Sequence, residues 1–108
     1  MLKIKDNIDL KELEKFGYKK YTDKYDKSFY ADISKEDYNN YQKLRKNKSY
    51  LCPYFTGQVD IFIYSNRIIN INIYVFSREQ CEIDFESKNY NYYIQDLIKA
   101  ELIEEVEE

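Results

Sequence analysis

Residues 58–76 read QVDIFIYSNRIININIYVF, and their alternation decides the fold. Val59, Ile61 and Ile63 recur at every second position, and Ile69, Ile71, Ile73 and Val75 do the same in the next run. A strand turns successive side chains to opposite faces, so alternating β-branched residues mean two strands with a shared apolar face. Ser65, Asn66 and Arg67 supply the connection, giving a hairpin of 58–64 and 68–76. Asn70 and Asn72 oppose the isoleucines, so part of that second face is wet or is used. Tyr64, Tyr74, Phe62 and Phe76 also lie opposite the core positions. They either support a second packed layer or form an exposed aromatic platform, which would be an interface or a dimer contact.

Outward from the hairpin, Cys81, Ile83 and Phe85 continue the pattern as a third strand. Near the N-terminus, Asp9 and Glu12 have capping-box spacing, Leu10, Leu13 and Phe16 recur at helical intervals, and Gly17 suits a left-handed C-cap. Residues 18–33 hold a strand or two, the better one at 28–33, where Phe29, Ala31 and Ile33 alternate with polar neighbours. Ser34 predicts an N-cap with Asp37 at N3, and Ile33 with Tyr38 has hydrophobic-staple spacing. Tyr38, Tyr41 and Leu44 then form a narrow apolar stripe, and the helix ends near Lys46, Asn47 and Lys48. A last helix over 87–100 aligns Tyr90, Tyr93, Ile94, Leu97 and Ile98. Leu102, Ile103 and Val106 continue it or form a short edge strand. The sum is a single α+β domain over 1–108: an antiparallel sheet of three to five strands with a central hairpin, packed with two or three helices.

Composition bears on function. The chain has no histidine and 13 tyrosines in 108 residues. Histidine is the commonest general acid/base and metal ligand, so Ser-His-Asp and Cys-His mechanisms are excluded and a zinc or iron site loses its usual ligand. Tyrosine is a recognition residue, an apolar ring with a polar tip and little rotamer entropy to lose. Gly17 and Gly57 are isolated, so there is no phosphate-binding glycine loop. A tyrosine nucleophile would need a surrounding arginine and histidine set. Carboxylate-only sugar hydrolysis would need a deep cleft that a small chain hardly provides. Cys52 and Cys81 form no C-x-x-C pair and are expected as buried free thiols. The composition therefore points to a non-enzymatic protein with no cofactor and no metal.

No apolar run approaches the ~20 residues of a membrane span. The opening MLKIKDNIDLKELEK has charges where a signal peptide has its apolar stretch, which predicts a cytoplasmic protein. The wealth of Ile, Lys, Asn, Tyr and Phe matches A/T-rich codons and a low-GC genome.

Charge is uneven. Residues 1–50 hold 13 basic and 9 acidic groups, whereas residues 77–108 hold 3 basic and 10 acidic. Glu82, Asp84 and Glu86 alternate, so on a strand they project from one face about 7 Å apart. They make a solvated face that blunts a sheet edge, a partner-facing acidic patch, or a hard-cation site. Glu104, Glu105, Glu107 and Glu108 form an acidic tail. At the other end Lys43, Arg45, Lys46 and Lys48 lie between Tyr41 and Tyr50, a mixture suited to single-stranded nucleic acid or simply to a helix C-terminus.

The opening LKIKDNIDLKELEKFGYK and the close YYIQDLIKAELIEEVEE, around a central hairpin, resemble small proteins encoded by phages and prophages of low-GC bacteria. Such relatives tend to carry Gly where Glu101 stands, a break between a helix and a short final strand. The resemblance implies a binder that blocks host machinery, of the anti-CRISPR or anti-defence type, acting in the bacterial host cell. The expected partner is a host protein, a CRISPR effector or another nucleic-acid-binding protein, met by Glu82, Asp84, Glu86, Tyr64 and Tyr74. The alternatives are a single-stranded nucleic-acid module using Tyr41, Lys43, Arg45, Lys46, Lys48 and Tyr50, and a self-assembling phage protein that dimerises through its aromatic sheet face.

Overall fold

In the computed structural model the described residues are 1–44, 56–75 and 83–106. Seven strands are assigned among them: β1 (Leu2–Ile4), β2 (Lys19–Lys20), β3 (Lys24–Asp32), β4 (Thr56–Tyr64), β5 (Ile69–Val75), β6 (Ile83–Ser87) and β7 (Ile103–Glu105). Three α-helices accompany them: α1 (Lys35–Leu44), α2 (Tyr90–Tyr93) and α3 (Gln95–Lys99). Strands β2 to β6 form an antiparallel sheet in sequence order, while β1 and β7 pair in a separate two-stranded sheet. The fold is α+β, as the sequence requires.

The hairpin sets everything else. Val59 faces Ile73, Ile61 faces Ile71 and Ile63 faces Ile69, and all six side chains are buried. Each fully buried aliphatic side chain of this size contributes roughly 1.5–3 kcal/mol. Their common face continues through Tyr25 and Phe29 of β3 and Phe85 of β6. Against it pack Leu13, Ile33, Tyr41, Tyr93, Ile94, Leu97 and Leu102. Gly57 of β4 is there for space, because a Cβ would meet the Tyr74 carbonyl oxygen at 3.1 Å.

The β4–β5 connection closes with Arg67 N–H donating to the Tyr64 carbonyl, and Arg67 takes φ 70°, where glycine is favoured. Its guanidinium donates to the carbonyls of Lys5 and Ile8 at 2.9 and 2.6 Å. The hairpin tip is thereby tied to the N-terminal segment, offsetting the backbone cost. Beside it, Ile4 N–H donates to the Arg67 carbonyl and Lys3 bridges Ile68.

Several expectations change in detail. Residues Leu10–Phe16 form a 3-10 helix. Asp9 caps it by accepting from Lys11 N–H, and Gly17 closes it at φ 91°, but Glu12 pairs with Lys15 at 2.8 Å. The extended run in 18–33 is longer than expected. Lys27, a charge at a core-face position, hides its alternation; its ammonium stands 5.5 Å from the ring centroids of both Tyr18 and Phe29 and meets Asp96 at 3.5 Å. The expected final helix breaks at Ile94, whose φ of -121° is not helical, so that Tyr93, Ile94 and Leu97 can all be buried. Ile103–Glu105 run extended as β7. Glu101, at φ 60°, makes the break where glycine would be easier, and β7 then pairs with β1. Cys52, Cys81 and Phe76 lie outside the described residues, and among those described no helix is long and apolar enough to cross a membrane.

Candidate functional site

The capping prediction at Ser34 grows into a buried polar network. Asp37 N–H donates to Ser34 Oγ at 3.2 Å, and Ser34 Oγ donates to Asp37 Oδ2 at 3.0 Å. Ser87 Oγ of β6 donates to the same oxygen at 2.7 Å. Tyr93 adds its hydroxyl, accepting from Ser34 N–H at 3.0 Å and bonding Asp37, and burial with that carboxylate raises its pKa. This network ties α1 to β6 and α2. It is cut off from solvent, so it is an anchor of the fold.

The opposite face of the sheet differs in kind. Alternation sends Lys24, Asp26, Ser28, Tyr30 and Asp32 of β3 outward, with Gln58, Asp60, Phe62 and Tyr64 of β4, Asn70, Asn72 and Tyr74 of β5, and Asp84 and Glu86 of β6. Register turns these into rows. Ser28, Asp60, Asn72 and Glu86 lie side by side, as do Tyr30, Gln58, Tyr74 and Asp84. Tyr30 is 72% exposed and Tyr64 38% on this face, while Phe62, Asn70, Asn72 and Tyr74 are half-buried.

One part of it is electrostatically tense. Asp26 sits opposite Lys19 of β2 on one side and Phe62 of β4 on the other. Its Oδ1 is shut off from solvent and has no hydrogen-bond partner. Burial raises the Asp26 pKa, Lys24 partly counters that, and the carboxylate of Asp60 adds to it. Lys24 places its ammonium 4.5 Å from the Phe62 ring centroid. Among the described residues Asp60 is held through Oδ1, which accepts from Ser28 Oγ and from Gln58 Nε2, the latter at 3.1 Å.

Comparison with protein-family models, with curated proteins and with solved structures finds no match.

The expected site residues separate cleanly. Asp84 and Glu86 are exposed on the outer face with Tyr64, and Tyr74 is half-buried in the same plane; Glu82 lies outside the described residues. Of the basic set, Tyr41 is a correction. Its ring is fully buried, because the stripe that makes α1 amphipathic turns it onto the sheet, so it cannot stack on a base. Lys43 is exposed, and Arg45, Lys46, Lys48 and Tyr50 lie outside the described residues. Sequence reasoning missed Asp26, Asp60, Phe62 and Tyr30 as one group. Only the register of β3 on β4 brings them together, although the run Lys24, Asp26, Ser28, Tyr30, Asp32 carried the signal of a polar outer row. Among the described residues no three acidic or cysteine side chains converge so as to hold a metal ion.

Proposed function

We propose that this chain is a non-enzymatic binding protein that lays the outer face of its five-stranded sheet on a basic surface of a host nucleic-acid-handling protein and blocks it. The observation that carries this reading is the exposed aromatic and acidic part of that face among the described residues, with Tyr30 and Tyr64 set among Asp26, Asp60, Asp84 and Glu86. Amphipathic rings supply contact area at small entropy cost, and carboxylates at strand spacing present negative charge where phosphates would bind. The resemblance to phage-encoded proteins supports a target among defence proteins such as CRISPR effectors.

The test is affinity capture from a lysate of a low-GC bacterium, split into nuclease-treated and untreated halves, with wild type beside the double variant Asp84→Lys, Glu86→Lys. The wild type is expected to retain one stoichiometric protein, and the variant to lose it by more than tenfold while melting at the same temperature. Equal retention by both proteins would overturn the reading. So would recovery that vanishes with nuclease.

A further inference from the structure

Asp26 poses a question that the fold leaves unanswered. A buried acceptor without a donor is uncommon and costs stability, yet two lysines, Lys19 and Lys24, flank this one on the same face. Neither forms an ion pair with it among the described residues. Lys24 instead reaches diagonally across to the Phe62 ring, directly opposite Asp26. A cation therefore already stands on an aromatic ring bordered by two carboxylates. The second carboxylate is preset: both neutral donors to Asp60 engage Oδ1, which leaves Oδ2 for an incoming group.

Resting on the docking reading of the same face, we propose that Asp26, Asp60 and Phe62 form a subsite for an arginine side chain of the protein partner, and that Lys24 is the resident cation this arginine displaces. A guanidinium suits the subsite better than an ammonium. It is planar and stacks on Phe62, and once Lys24 has moved its fork of donors can serve Asp60 Oδ2 and the Asp26 carboxylate together. Lys24 serves the ring and acts on Asp26 through its charge, but gives Asp26 Oδ1 no hydrogen bond. Its departure costs one exposed cation–π contact, while the arrival supplies a similar contact and two charge-assisted hydrogen bonds.

The experiment is a titration of the full chain with an octa-arginine peptide, followed by amide NMR shifts. Shifts are expected at residues 24–28 and 58–64. Lys24→Ala should tighten binding about three- to fivefold, the worth of the cation–π contact it removes. Lys19→Ala, which makes the same charge change on the same face, should give less than half that gain. Asp60→Asn should weaken binding, and octa-lysine should bind at least threefold more weakly than octa-arginine. Equal effects of Lys24→Ala and Lys19→Ala would overturn the subsite, leaving only net charge. Shifts centred on Glu104 and Glu105, or equal binding of the two peptides, would overturn it as well. Failure here is separable from failure of the docking reading, which stands or falls on the Asp84 and Glu86 variant in the capture experiment.

Discussion

The two faces of the five-stranded sheet come from the same strands and obey opposite rules. On the inner face every position of the hairpin from Val59 to Val75 that points inward is Val or Ile, apart from the turn, and each is buried. On the outer face the intervening residues are Asp60, Phe62, Tyr64, Asn70, Asn72 and Tyr74. The inner face is redundant, because many contacts share the load and any one of them is a fraction of the whole. The outer face is sparse. Its unusual features, an orphaned carboxylate and a lysine on a ring, involve few residues and give little back to the fold. That contrast separates what holds the molecule together from what is free to be used.

The sharpest way to break this contrast is to mutate neighbours that differ only in face. Ile71→Ala should cost about 2–5 kcal/mol in urea or guanidinium unfolding, through lost burial and a cavity, whereas Asn72→Ala should stay within about 0.5 kcal/mol. Comparable losses would mean that the outer face is packed after all. A smaller effect tests the polar island on the buried side. Asp37→Ala removes the acceptor of Ser34 and Ser87 and should cost about 2–3 kcal/mol, with partial recovery in Asp37→Asn. No loss would show that the network is decorative.

How much of this was legible in the sequence follows the same division. The hairpin was, since strict alternation has only one structural reading. So were the Ser34 cap and the Gly17 terminus, both local chemistry within four residues. Strand β3 was half legible, because Lys27 at a core-face position broke its pattern. The β1–β7 pair was not legible: strands of three residues carry no period, and their pairing joins segments about a hundred positions apart. Of the outer face, Asp84, Glu86, Tyr64 and Tyr74 could be named from alternation alone. Asp26 and Asp60 could not, since only strand register makes them neighbours. Tyr41 fits two sequence readings, a core residue and a stacking residue, and its burial supports the first.

Away from both faces, Glu101 offers a control. Glu101→Gly relieves a left-handed residue and should raise stability by roughly 0.5–1 kcal/mol, seen as a higher melting temperature with no change in peptide binding. A loss would mean that the carboxylate itself matters there. The finest test returns to Asp26. Its pKa is raised in the folded state, so folding takes up a proton between the ordinary aspartate value and the raised one, and stability falls as pH rises through that window. Asp26→Asn should therefore stabilise the protein at neutral pH, and the gain should fade as pH drops below ~4, where aspartate is protonated in both states. A gain that persists unchanged at acid pH would point to packing in place of charge. Loss of octa-arginine affinity in the same variant would set function against stability at one residue.

The β1–β7 pair also has a mechanical meaning. Leu2 lies opposite Glu105, and Val106 N–H donates to the Met1 carbonyl, so residues 1 and 106 leave the small sheet side by side. A pulling force applied between them opens that sheet like a zipper, one bond at a time, rather than shearing all its bonds at once. The first event under load is thus cheap, and it ends where Ile4 is held to the Arg67 carbonyl. Beyond that point the force must act on the hairpin itself.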